Sequence, residues 1–567
     1  MKIEKNLSGK IKFTIIRILN ERTNIKKTGM FIFFISCIYF TKETNFLFYN
    51  STDSPDFFQY IIPYFDYLFK NTPITGREQG LFYYYIHSWY FYLNYSNLND
   101  ISLFTTLHKS IQEVNFIFFL IGLGGIYKLL RLFKFDYYVS LLSLIFINFL
   151  PLSIAQRIVF KPEILTFALF PWIIFCLEKF KKSREIKYLF LGIPLLVLCI
   201  SSKGTIFIMI GLFLLVYYLK DLINLELKSI FYLIIFFLVI SSLLISENNT
   251  SNGQSLLEVA SGATNDSNYD YKAPISIIYK VNAYNLISSP INNYHPDSFI
   301  AITLLDTFGD YYNIYWDNDS SLFYENRREI LEFRESKEIK GPVYNSSRKS
   351  FTIYLQVFTE TYYKEIISFI LSGFFYFMLI KEIKFNKKLR KFLIAPLFGM
   401  SIILFHIISG FPVNNFNPNL GDTLKPIYYG HFVLLAASFL TSKLFEKNII
   451  NKLLIIPYIF LVLLLIGFPK NIDTKFQKDV SQINSYSNTC SVNNIFLYRL
   501  DYIENKECIK GYIDRQIESD VIVYDDFNKT PRFKTINSII GIGSLFSLFF
   551  LIFESTKLRR FRFGKVK

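Results

Sequence analysis

The sequence predicts an all-α, polytopic membrane protein of about twelve transmembrane helices, with interfacial helices in its first outer loop and a small outer subdomain. Three observations lead there. Of the 567 residues, 51% are apolar and 19% aromatic, and the mean hydropathy is +0.29. The apolar residues arrive in blocks of about 13 to 19, near or just below the length of a helix that spans a bilayer. The basic residues fall in every second gap between those blocks.

In chain order the blocks are Met30–Phe48, Val114–Arg131, Tyr137–Leu152, Glu163–Leu177, Tyr188–Ile200, Gly204–Tyr218, Ser229–Ile245, Lys364–Ile380, Phe392–Ile408, Pro426–Leu440, Leu453–Phe468 and Asn537–Phe553. Eight basic residues from Lys2 to Lys27 precede the first. Alternate gaps then carry Lys128, Arg131 and Lys134, the run Lys179 to Lys187, Lys220 and Lys228, the run Lys381 to Lys391, and Lys443, Lys447 and Lys452. The tail after Lys557 is basic again. Cytoplasmic loops carry an excess of Lys and Arg, so these gaps face the cytoplasm and both termini lie inside. The net charge of +16 thereby reads as membrane anchoring rather than nucleic-acid binding.

The chain divides accordingly. A basic cytoplasmic segment (1–28) leads into a transmembrane core (29–246) with an outer loop at 49–110. An outer loop or subdomain follows (247–361), then C-terminal spans (362–468), an outer cap loop (469–535), and a last span with its basic tail (536–567). The first block runs through Lys42 and Glu43 without a small-residue exit, so it is expected to stay as an anchor. Cys37, Cys176 and Cys199 fall in spans as small apolar residues. Cys490 and Cys508 share the last outer loop, where an oxidising compartment would permit a disulfide.

The stretch Tyr49 to Tyr85 places Asp53, Asp56 and Asp66 just beyond the first span. Asp53 or Ser54 would also cap a helix beginning at Pro55, which fixes the direction of a neighbouring carboxylate. Gly80 to Tyr95 is aromatic almost throughout and is expected to lie in the headgroup layer, with His87 and His108 as interfacial rather than catalytic residues. Outer turns then bring Arg157, Lys161 and Glu163, and separately Lys203, to one level. Cations there snorkel to headgroups or hold an anionic partner such as a lipid phosphate. Within 247–361, Asp306, Asp310, Asp317 and Asp319 stand among aromatics, a composition suited to sugars but without the spacing of a calcium loop. A late outer loop supplies Asp422, Lys425, Tyr428, Tyr429 and His431.

Glycosyl transfer from a polyprenyl phosphate needs a base for the acceptor hydroxyl and cations for the leaving phosphate, meeting at the membrane surface. A carboxylate beyond the first span suits the base. Arg157, Lys161, Lys203 and Lys425 suit the phosphate site, with an apolar groove for the lipid tail among the spans.

The pattern D-S-P-D-F after the first span, the aromatic helix behind it and the alternating topology resemble the GT-C superfamily of membrane glycosyltransferases, in particular bacterial members similar to aminoarabinose transferases and protein mannosyltransferases. The family's first outer loop typically offers a pattern resembling Asp-Glu-x-x-Tyr; here Asp53 stands at the Asp, Ser54 replaces the Glu and Phe57 stands at the Tyr. The resemblance implies Asp53 as base, with Asp56 as fallback. FKPEILTF and SSKGT look like outer span ends of the family, carrying Lys161, Glu163 and Lys203; KPIYYGHF loosely matches a later segment through Lys425 and Tyr428, and Glu163, Tyr428 and His431 are the candidate substrate-binding residues. It implies a multi-pass protein of a bacterial inner membrane, a polyprenyl-phosphate-linked sugar as donor, and a glycan, lipid or protein as acceptor. No cofactor is identified by the residues, and a divalent metal stays open. An O-antigen polymerase or ligase and a transporter are the competing readings. A transporter normally buries ionisable residues at mid-membrane.

Overall fold

The computed structural model describes residues 25–42, 81–95, 100–158, 160–223, 227–252, 275–279, 281, 298–309, 362–409, 426–447, 452–466 and 540–552. Among the described residues the chain is helical and contains no strand. The first part comprises α1 (residues 25–42), α2 (Leu81–Tyr95), α3 (Asp100–Leu132), α4 (Tyr137–Asn148), α5 (Pro151–Ile158), α6 (Glu163–Ser183), α7 (Lys187–Ser201), α8 (Gly204–Ile223) and α9 (Leu227–Asn252). The second part comprises α10 (Phe299–Asp306), α11 (Tyr362–Phe385), α12 (Arg390–Leu393), α13 (Ala395–Ser409), α14 (Gly430–Lys447), α15 (Ile455–Ile466) and α16 (Ile540–Ile552), with a 3-10 turn, Pro426–Tyr429, leading into α14.

Each apolar block of the sequence overlaps at least one described helix. By length and composition, three of these helices can each cross a membrane: Ser110–Leu132 within α3, Thr205–Ile223 within α8 and Ile366–Phe385 within α11. The bent pair α4–α5 makes a fourth if it counts as one span. Shorter apolar helices include Lys187–Ser201, Ile230–Ser242, Ala395–Phe405 and Ile540–Ile552. Phe374 and Phe377 of α11, and Leu545 and Phe546 of α16, are each at least 60% exposed. Exposed apolar rows of this kind are a liability in water and the normal surface of a helix in lipid. The described residues are helical, with the apolar helices of a multi-pass membrane protein.

The bundle is built around α3, α6, α7 and α14. α3 and α6 approach closely because α3 presents glycine at the contact. A Cβ at Gly122 would stand 2.7 Å from the Phe167 carbonyl oxygen, and one at Gly125 would stand 2.8 Å from the Pro171 side chain. The Trp172 indole N–H donates to the Ile121 carbonyl oxygen at 2.8 Å across the same seam. Small residues that let helix backbones meet are the usual glue of helices in lipid. Because the obstacle at Gly122 is backbone, it cannot rotate away. Gly122→Leu is expected to destabilise the protein by about 1–3 kcal/mol, the range for overpacking, read as a lower thermal midpoint in detergent, while Gly211→Leu, where a Cβ meets nothing within 4 Å, leaves the midpoint unchanged.

Tyr137–Leu152 reads as one continuous block in the sequence, followed by an outer turn. The structure instead ends α4 at Asn148 and folds the turn into a second helix, α5, bent from the first by 66°. Proline at the first position of α5 needs no N–H partner there and cannot continue the preceding helix. At the other end of α4, Asp136 caps the helix by accepting from the Tyr138 N–H at 3.0 Å.

α2 is the aromatic helix expected at Gly80 to Tyr95, and it packs its aromatic face onto α3. Tyr83, Tyr84, His87 and Phe91 share one helical face and are buried. The Tyr83 hydroxyl donates to Asn115 Oδ1 at 2.9 Å, and the Tyr90 hydroxyl donates to Glu113 Oε2 at 2.9 Å. The His87 ring packs against Tyr83 and Phe160, a core position rather than the interfacial one expected.

Basic residues from alternate gaps gather at one end of the bundle. Lys391 donates to the buried Glu178 carboxylate, which also accepts from the Tyr218 hydroxyl at 2.9 Å. Lys181 pairs with Asp221 at 2.8 Å, and Lys447 pairs with Glu382 at 2.7 Å. Lys182 donates to the Leu132 carbonyl oxygen at 2.7 Å. Burial pushes the Lys391 ammonium down, the Glu178 carboxylate pulls it back, and the net lies below the ordinary lysine range.

Candidate functional site

At the opposite ends of α6 and α8 from that basic cluster, three segments far apart in sequence meet. The first is the entry to α6. Lys161 and Pro162 lead into Glu163, whose carboxylate sits in the first turn of α6, where the helix dipole favours negative charge. The second is the break between α7 and α8, which carries Lys203 immediately before Gly204. The third is the 3-10 turn Pro426–Tyr429, which presents Tyr428.

Lys203 Nζ pairs with Glu163 Oε1 at 3.0 Å. The same ammonium lies 4.4 Å from the centre of the Tyr428 ring, and the Lys161 ammonium lies 5.5 Å from it. Glu163 is 1% exposed, and its second oxygen, Oε2, has no hydrogen-bond partner. Around one aromatic ring the described side chains thus bring two ammonium groups and a carboxylate with a lone oxygen to spare. The sequence placed Lys161 and Glu163 on the outer surface; the structure buries both.

Arg157 does not join them. Its fully buried guanidinium donates from Nη1 to Asn148 Oδ1 at 3.0 Å and to Thr41 Oγ1 at 3.3 Å. Nη2 donates to the Asn148 carbonyl oxygen at 2.7 Å, and Nε donates to the Ser153 carbonyl oxygen at 3.2 Å. The group also lies 4.3 Å from the centre of the Phe119 ring. Arg157 therefore straps α5 back onto the end of α4 and onto α1, which satisfies carbonyls that the helix break exposes.

His431 sits in the first turn of α14, fully buried between Phe170 and Phe432, with neither ring nitrogen hydrogen-bonded. That is a core position among aromatic rings. Asp53, Asp56 and Lys425 lie outside the described residues, as do Asp66, Asp310, Asp317, Asp319, Asp422, Cys490 and Cys508. Among the described residues, no group of three His, Cys, Asp or Glu side chains is placed to hold a metal ion.

Two features escaped the sequence reading. Gln156 reaches the 3-10 turn, where its Nε2 donates to the Ile427 carbonyl oxygen at 3.3 Å and its Oε1 has no partner. A Cβ at Gly430 would overlap this amide, which would have to swing aside. The polar pair Gln156–Arg157 inside an apolar run was the available signal. The second feature is α10, an apolar helix within the otherwise polar segment 247–361. Thr303 Oγ1 lies 3.3 Å from the Tyr429 hydroxyl, and Thr307 Oγ1 lies 3.0 Å from the Tyr376 hydroxyl. α10 therefore packs against the turn and against the middle of α11, and buries Asp306 beside them. Its run of eight residues is too short to stand out from a polar loop.

Comparison with known proteins returns no matching protein family, no matching curated protein and no matching solved structure.

Proposed function

We propose that the chain is a membrane glycosyltransferase that moves a sugar from a polyprenyl-phosphate donor to a glycan, lipid or protein acceptor at the outer face of a cell membrane. Lys161 and Lys203 bind the donor phosphate over the Tyr428 ring, Glu163 orients Lys203, and Asp53, with Asp56 as fallback, acts as the base. About twelve spans, cytoplasmic termini and a bacterial inner membrane belong to the same proposal. Arg157 serves the site indirectly, by bracing the helix break that carries Gln156 to the turn.

One observation carries this reading: Lys161, Glu163, Lys203 and Tyr428 converge from three distant segments. Charged side chains are costly to place inside a helical membrane protein, and they mark functional sites there by default. Two cations beside an aromatic ring, with a carboxylate to hold one of them in place, suit a phosphate that must be gripped and then released. The bent α4–α5 pair is a feature that a transporter would share. Its buried arginine, however, is committed to the protein's own oxygens.

The test is sugar transfer in membranes supplied with a lipid-linked donor. Asp53→Asn is expected to lower the turnover rate by about a hundredfold, the lower part of what a positioned base contributes, with Asp56→Asn closer to the parent. Full activity in both single variants and in the double variant would rule out the acid-base part of the proposal. Absence of transfer from any polyprenyl-phosphate sugar by the parent chain would rule out the rest.

A further inference from the structure

We propose that the basic end of the bundle carries a site for the headgroup of one anionic phospholipid, where Lys182 of α6 and Lys388 of the α11–α12 turn converge on the Phe133 ring. The site lies at the opposite end of α6 from Lys161, Glu163 and Lys203, and the inference does not depend on sugar transfer.

Three segments build it. α3 ends at Leu132, and Phe133 follows, held edge-on to Phe392 and Phe439 with ring centres 5.0 and 5.5 Å away. Lys182, in the last turn of α6, donates to the Leu132 carbonyl oxygen at 2.7 Å and holds its ammonium 4.6 Å from the centre of the Phe133 ring. Lys388 brings a second ammonium to 5.9 Å from the same centre. A lysine that merely snorkels extends away from the bundle toward water. Lys182 instead turns back onto a helix-end carbonyl. Glu178 is the carboxylate whose field reaches Lys182, and it is already held by Lys391 and by the Tyr218 hydroxyl. Among the described residues neither Lys182 nor Lys388 pairs with an acid. Two ammonium groups beside one ring repel each other, and a phosphate whose oxygens accept from both removes that repulsion. The ring face adds to the hold on each cation.

The surroundings select a lipid over a soluble phosphate. α11 exposes Ile370, Phe374 and Phe377, spaced i, i+4 and i+7 along one helical face. The same face continues into the exposed Lys381 and Lys384, and the helix ends three residues before Lys388. α16 exposes Leu545, Phe546 and Phe549, and the carbonyl oxygen of its last residue, Ile552, accepts from Lys128 Nζ at 3.0 Å. Lys128 stands one helical turn before Leu132 on α3. Apolar rows on α11 and α16 thus reach the level of the cations, which is the order of chain and headgroup in a phospholipid. Basic pockets between spans are a known seat for anionic headgroups. The loop charge that orients a membrane protein acts on any cation at that level. This site is narrower: it needs a fixed ring and two ammonium groups at set distances from it.

The experiment is native mass spectrometry of the full chain released from detergent, titrated with phosphatidylglycerol or with phosphatidylcholine of the same acyl chains. The parent is expected to hold one phosphatidylglycerol at least tenfold more tightly than phosphatidylcholine. Lys182→Gln/Lys388→Gln is expected to lose that preference. Lys388→Gln alone is expected to lower it at least threefold and to melt like the parent in detergent, because Lys388 makes no hydrogen bond among the described residues, so its loss is not one of folding. Lys220→Gln/Lys443→Gln removes the same charge from the last turns of α8 and α14 at the same end, and is expected to leave the preference within twofold. Glycerol phosphate, the headgroup without its chains, is expected to fail as a competitor at the lipid's concentration. Equal retention of the two lipids by the parent overturns the inference. Equal losses in the two double variants overturn it too, by making the attraction diffuse. Competition by glycerol phosphate overturns it in favour of a soluble phosphate.

Discussion

The combined variant Lys161→Ala/Lys203→Ala is expected to lose about a hundredfold to ten-thousandfold in transfer from a polyprenyl-phosphate donor. A hydrogen bond to a charged group contributes about 1.5–3 kcal/mol, so two such bonds to one phosphate together reach that range. The loss is expected chiefly in the Michaelis constant for the donor if both lysines grip the ground-state phosphate, and in turnover if they act on the departing one. Lys203 also holds Glu163 at 3.0 Å. Removing it strands a buried carboxylate, at about 3–5 kcal/mol of stability, and activity by itself would then be ambiguous. The control is Lys203→Met/Glu163→Gln, which removes both charges. It is expected to recover the thermal midpoint lost in Lys203→Met without recovering transfer. Recovery of both would make the pair structural and remove the phosphate site from the proposal.

Arg157→Ala carries the largest expected effect on stability. The variant loses four donated bonds to Asn148, Thr41 and Ser153 and the contact with Phe119. It takes the guanidinium from the Asn148 carbonyl oxygen at a buried helix break, and leaves the Asn148 amide oxygen only the Thr41 hydroxyl at 3.0 Å. The expected cost is about 3–5 kcal/mol, the range for breaking a buried charged network. Arg157→Lys is expected to rescue little, because a point ammonium cannot span donors that a planar fork reaches together. Thermal unfolding of the purified protein in detergent checks both variants. If Arg157→Ala melted like the parent and lost only donor affinity, the arginine would return to the phosphate site where its sequence position first put it.

The apolar blocks were legible as helices because each stretch of about 13 to 19 apolar residues must satisfy its backbone internally, whatever surrounds it. The break in the third block was harder to see. Pro151 announces a possible helix start, but whether the chain turns away or bends back depends on Arg157 reaching Asn148 and Thr41. The same holds for the aromatic helix: its composition shows that it is apolar and ring-rich, and only the α3 surface opposite Tyr83 and His87 decides which face is buried. Lys161, Glu163, Lys203 and Tyr428 were legible as candidates through alternation of the spans, which sends their segments to one end. Arg157 and His431 shared that end and shared their residue chemistry, yet packing took both into the interior.

By itself, the sequence determined that the chain is helical and multi-pass and which gaps collect its basic residues, since hydropathy and loop charge act locally and need no partner. It also determined which short segments could meet at one end of the bundle. Only the tertiary structure decided that Lys203 takes Glu163 and that one tyrosine ring receives two ammonium groups. Those outcomes depend on distances between residues 40 to 267 positions apart, and such distances are set by how whole helices pack rather than by what any one segment prefers.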